Sequence, residues 1–115
     1  MALSVLSITV DSTDPIALAQ WWADRLGAEI TATNDGWFVT VQGGAAPVQL
    51  AFQKVDEVTP GKNSWHLDLG TPDRIAEVAA LEAAGATVIG EHSMGDFTWS
   101  VLTDPQGNVF CVAPH

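Results

Sequence analysis

The sequence has only one cysteine, Cys111, and only four lysines and arginines among 115 residues. No apolar run approaches the roughly 18 residues that a membrane-crossing helix needs. Each shortage excludes something. A single cysteine leaves no internal disulfide. The start, Met1-Ala2-Leu3-Ser4, has no basic segment ahead of its apolar strand, so no signal peptide is expected and a cytoplasmic location is. Four cations against fourteen Asp and Glu give a formal net charge of −10. That balance repels phosphate backbones and anionic lipid, so neither nucleic acid nor membrane is expected as a partner. Charged residues make up 16% of the chain and hydrophobic ones 47%, a globular and not a disordered composition. The length suits a single domain spanning residues 1–115.

What is present is an internal repeat. Val5–Val10 is β-rich, and Asp14-Pro15 then offers a helix cap followed by a first-turn proline. Leu18, Trp22 and Leu26 share one stripe, and Gly27 ends the helix. Strands are predicted at Glu29–Ala32, Trp37–Gln42 and Val48–Lys54, with Asn34-Asp35-Gly36 and Gly43-Gly44 at the turns. After a connector over 57–63 the order repeats. A strand covers Trp65–Leu69, and Thr71-Pro72-Asp73 opens a helix with Ile75, Val78 and Leu81 on one face. Gly85 closes it. Strands follow at Thr87–Ile89, Phe97–Leu102 and Val109–Ala113, the last two joined by Asp104-Pro105-Gln106-Gly107-Asn108. Two βαβββ modules result, 1–56 and 64–115. The class is α+β, with two modules related by pseudo-twofold symmetry. They form a cup-shaped mixed sheet with its helices on the outer face.

Strand alternation assigns the inner face. Leu67 and Leu69 point one way, and His66 and Asp68 the other. Ile8 and Val10 likewise oppose Ser7 and Thr9. The polar sets belong on the open side, where a concave surface binds small molecules.

The paired order resembles the vicinal-oxygen-chelate superfamily of glyoxalases, bleomycin-resistance proteins and dihydroxybiphenyl dioxygenases, and more closely its small glyoxalase-like branch. Three stretches carry the likeness: Asp14-Pro15 through Trp21-Trp22 to Leu26-Gly27; 61–69, Gly-Lys-Asn-Ser-Trp-His-Leu-Asp-Leu; and 104–112, Asp-Pro-Gln-Gly-Asn-Val-Phe-Cys-Val. The resemblance implies lyase, dioxygenase, epimerase or drug-binding activity on one scaffold. It also implies a divalent metal held by four side chains, usually His and Glu. Those positions map onto Ser7, His66, Ala51 (or Gln53, one strand step away) and Cys111. Ser and Ala cannot replace His and carboxylate, so no metal or other cofactor is expected unless Asp68 or another group joins in. With the small size, the resemblance also implies a homodimer.

The site residues expected are His66 and Asp68 for acid/base chemistry, with Ser7, Thr9, Trp37, Trp65, Trp99 and Cys111 contacting a small-molecule ligand. For His66 a structural hydrogen bond is the alternative, and for Cys111 a buried apolar role. His92 is expected in a solvated loop, and His115 at a frayed end. Trp22 belongs to the core. Trp37 and Trp99 hold nearly equivalent positions in the two modules. Either they face the cup and sandwich a flat aromatic ligand, or they lie under the helices.

Overall fold

Asp14 decides where the first helix begins. Its carboxylate accepts the Ala17 amide at 3.4 Å, and its own amide donates to Ser12 Oγ at 3.0 Å. Pro15 follows in the first turn, where a missing N–H costs nothing. Helix α1 (Pro15–Leu26) ends at Gly27 in a left-handed conformation (φ 61°), and Leu18, Ala19, Trp22 and Ala23 are buried along it. In the computed structural model, which describes residues 5–61, 63 and 65–115, the chain forms two compact units, Met1–Thr59 and Pro60–His115.

The first unit contains β1 (Ile8–Ser12), α1, β2 (Glu29–Ala32), β3 (Phe38–Gly43) and β4 (Ala46–Lys54). The second contains β5 (Leu67–Thr71), helix α2 (Arg74–Ala83), β6 (Thr87–Met94), β7 (Phe97–Thr103) and β8 (Val109–Pro114). Each unit is thus a βαβββ module, and the class is α+β. The sheet orders match, β1-β4-β3-β2 and β5-β8-β7-β6. β1 runs parallel to β4 and β5 parallel to β8, while the other pairs are antiparallel. Among the described residues, no helix is long and apolar enough to cross a membrane.

In each unit one sheet face is apolar. Val39, Val41, Leu50 and Phe52 align across β3 and β4 and are at most 5% exposed. Leu102, Phe110 and Val112 do the same in the second unit. Burying such side chains yields about 1.5–3 kcal/mol each, which favours placing the helix over them.

Four expectations need correction. β1 and β5 start later than their apolar residues suggest, at Ile8 and Leu67. For β5 the cause is Asn63. Its Oδ1 accepts the Val109 amide at 2.9 Å, and its Nδ2 donates to the Val109 and Trp65 carbonyls. A side-chain amide thus supplies pairing that a strand residue would otherwise supply, and the ladder begins beyond it. Met1–Ser4, like Lys62 and Ser64, lie outside the described residues, and Val5 and Leu6 are exposed.

Ile75 is not in the inner stripe of α2; it is 73% exposed. The inward position in the first turn goes to Arg74. Its guanidinium donates to the buried Ser100 hydroxyl at 2.8 Å and lies 3.7 Å from Glu91. Arg74, Val78 and Leu81, spaced by four and three, make the stripe.

β6 continues well past Ile89 to Met94, so His92 is a strand residue and not part of a loop. A two-residue turn, Gly95-Asp96 with Gly95 at φ 61°, joins β6 to β7. Such a turn extends both strands of a hairpin equally.

Lastly, Trp37 precedes β3. It follows a 3₁₀ turn over Asn34–Gly36 whose three residues all have positive φ, and it is 66% exposed.

Candidate functional site

Register places the functional side chains. In the second unit Asp68 pairs with Cys111, and Cys111 with Val101. Directly paired residues point to the same face, and so do residues two apart on one strand. His66, Asp68, Cys111, Val109, Val101 and Trp99 therefore share the face opposite Leu67, Phe110 and Val112. His92 pairs with Trp99 and joins them. On that face lies a cavity of about 250 Å³ lined by His66, His92, Trp99, Val101, Val109 and Cys111.

One end of the cavity is aromatic. Trp99 has the His92 ring 5.5 Å from its centroid and tilted by 31°, and Phe97 at 5.9 Å and 34°. The other end carries the polar chemistry. His66 Nε2 lies 3.3 Å from Asp68 Oδ1. Cys111 is half-buried, and each of the three residues offers one donor atom such that all lie within 4.8 Å of one another. Among the described residues, no other His, Cys, Asp or Glu completes a group with them. Asn63 contributes from behind, because its bonds to Val109 hold the chain leading into His66 against β8.

The remaining residues expected at the site lie elsewhere. Trp65 is 86% exposed and does not line the cavity. Ser7, Thr9 and Trp37 belong to the first unit. Thr9 pairs with Ala51, and Ala51 with Thr40. The row Thr9–Ala51–Thr40 therefore matches Asp68–Cys111–Val101, and one step along β3 and β7 makes Phe38 the counterpart of Trp99. Trp37 is not that counterpart, because it falls on the other parity, with Val39 and Val41. Ser7 matches His66; its Oγ is buried without a hydrogen-bond partner. Thr40 instead bonds Thr31 through their hydroxyls at 2.6 Å.

His92, Val101 and Val109 were not expected at the site. The signal for His92 was the Gly95-Asp96 turn, which would have extended β6 backward through residue 92. Val101 and Val109 follow from parity once β7 and β8 are paired.

This geometry and fold define a glyoxalase-type protein. A family model described as "Glyoxalase-like domain" matches residues 7–113, and the chain belongs to that family. It thereby falls within the vicinal-oxygen-chelate superfamily. No curated protein matches the sequence. Among solved structures, it is similar to a glyoxalase/bleomycin resistance protein/dioxygenase family enzyme from Burkholderia phytofirmans, with TM-score 0.78 and 20% identity over 97% of this chain and 98% of that one. It is also similar to a lactoylglutathione lyase from Agrobacterium tumefaciens (0.70, 17%, 96% and 92%). An antibiotic binding protein from a Streptomyces species gives 0.72 and 24%, covering 99% and 98%. At these identities the likeness establishes the fold.

The four-ligand metal of the superfamily does not fit the residues present. Register identifies Ala51, and not Gln53, as the counterpart of Cys111, since Gln53 pairs with Asp11. Ala51 has no donor atom and is fully buried. Ser7 offers only a hydroxyl where His66 offers an imidazole. The first unit thus contributes no strong donor at either position.

Proposed function

We propose that the chain binds a small molecule with a flat unsaturated ring in the second unit's cavity and sequesters it, without the superfamily's four-ligand metal centre. The cavity wall carries this reading: Trp99 backed by His92 and Phe97 at one end, His66 and Cys111 at the other. An indole face suits a flat ring, and stacking adds about 0.5–1.5 kcal/mol beyond the area buried. At about 250 Å³ the cavity is smaller than the 300–1,000 Å³ typical of drug-sized ligands. It suits a compact molecule or one ring system of a larger one. The fold shared with an antibiotic binding protein supports sequestration.

One observation favours a second reading, a lyase or isomerase. The His66 and Asp68 side chains, 3.3 Å apart, would let the carboxylate orient the imidazole for proton transfer once a bound substrate closes that gap to hydrogen-bonding range. In both readings the protein acts in the cytoplasm as a homodimer. Exposed Leu6 and Trp65, at 81% and 86%, are apolar surface that association would cover.

Native mass spectrometry of protein purified from its own host tests the proposal, reading ligand and subunit count together. An organic adduct of one molecule per chain on a dimer is expected. Adduct-free protein that converts an offered substrate would replace sequestration with catalysis.

A further inference from the structure

Two of the superfamily's four ligand positions keep donors, His66 and Cys111, and Asp68 adds a third that lies outside that four-residue set. His66, Asp68 and Cys111 supply one nitrogen, one oxygen and one sulfur from the two adjacent strands β5 and β8. Zn–N and Zn–O bonds of about 2.0–2.2 Å give a tetrahedral N···O edge of roughly 3.3–3.6 Å. The His66 Nε2 to Asp68 Oδ1 separation is 3.3 Å. That is long for a charge-assisted hydrogen bond, whose usual range is about 2.7–2.9 Å, but it suits two atoms bound to one ion. With a Zn–S bond of about 2.3 Å, the corresponding edge to sulfur is roughly 3.6 Å. The thiol lies within 4.8 Å of both other donors, so rotamer adjustment on the order of 1 Å closes the set.

We propose that His66, Asp68 and Cys111 form a three-donor site for a thiophilic divalent ion, zinc or cobalt, contained wholly in the second unit. Two features set its chemistry. A thiolate among the donors selects borderline and soft ions over magnesium, calcium or manganese, which prefer all-oxygen shells. Three protein donors leave the fourth tetrahedral position for water or a ligand atom, and two of the three line the cavity. The site stands whether or not an organic molecule occupies that cavity. Its test is therefore separate from the test of sequestration.

Cobalt(II) titration of the full-length chain, after dialysis against a chelator, decides it. The expected result is one equivalent bound, with a near-ultraviolet thiolate-to-cobalt charge-transfer band that zinc abolishes and magnesium does not. Because Cys111 is the sole cysteine, such a band is assignable to it without any variant. Loss of an outer-shell partner already weakens metal sites by about 10–100-fold. Cys111→Ser should therefore cost more than about 100-fold, and Asp68→Asn at least about tenfold. Ser7→Ala should leave affinity unchanged, which a site shared between units would not allow. Should Cys111→Ser fail to fold by circular dichroism, the wild-type spectrum still decides the matter. Absence of the charge-transfer band at millimolar cobalt overturns the proposal, and so does its loss in Ser7→Ala.

Discussion

The two units share one topology and one register, yet they differ at nearly every position facing away from the apolar sheet surface. Where the second has His66, Asp68, Cys111 and Trp99, the first has Ser7, Thr9, Ala51 and Phe38. On the buried faces Val41, Leu50 and Phe52 are matched in register by the equally apolar Leu102, Phe110 and Val112, and only Val39 meets a polar counterpart, Ser100, which takes a hydrogen bond from Arg74. Packing constrains both units alike, because each must cover one sheet face with one helix. Chemistry does not, and it has collected in one unit.

Substitutions can break or sharpen this contrast. The largest effects should fall in both cores: Phe52→Ala and Phe110→Ala, each removing a ring that is 1% exposed though at non-equivalent positions, should each cost about 3–5 kcal/mol in urea unfolding. A loss well under about 2 kcal/mol for either would mean that its unit's core closes over the missing ring. Next comes a pair that should differ. Ala51→Glu puts a carboxylate where nothing is exposed, and should cost about 3 kcal/mol or more. Cys111→Glu, at the half-buried equivalent beside the cavity, should cost about 1 kcal/mol. Equal costs would erase the difference between an open and a closed face.

Binding should separate the units further. Trp99→Leu should lower occupancy by the co-purifying small molecule about tenfold, while Phe38→Leu should change it by less than about twofold. Native mass spectrometry reads both. The smallest effects return to symmetry. Asp14→Ala and Asp73→Ala each remove a helix N-cap, bonded to Ala17 and Ala76 respectively, and should each cost about 1 kcal/mol.

Features written in short stretches were legible in the sequence. Asp14-Pro15, Gly27 and the turn from Asp104 to Asn108 lie where local chemistry puts them. The Asp104 carboxylate accepts from the Gln106 and Asn108 amides at 2.9 and 3.0 Å. The alternation of Leu67 and Leu69 against His66 and Asp68 likewise gave the correct faces. What stayed hidden depends on partners distant in the chain. A register shift beside Gly90 breaks the alternation of β6, which concealed His92 in an apparent loop. Arg74 displaced Ile75 from the inner stripe because Ser100, twenty-six residues on, offers a buried acceptor. The meeting of Cys111 with Asp68 needs the parallel β5–β8 register, which no local pattern encodes. Trp37 and Trp99 looked equivalent by counting residues, and only strand pairing moved the match to Phe38.

The β3–β4 hairpin tip has a dynamic consequence. The Ala45 amide, in an exposed turn, donates to the Leu26 carbonyl at 2.9 Å, while Gly44 sits so close to the helix end that a Cβ there would lie 2.2 Å from the Gly27 oxygen. Helix end and hairpin tip are joined, so neither can open alone. In hydrogen–deuterium exchange the Ala45 amide should be protected far beyond a solvent-facing turn, and should exchange in step with Ala28, whose amide is bonded to Ala23 in the last turn of α1. Gly44→Ala would uncouple the two, and both amides would then exchange faster while the interior of β4 kept its protection.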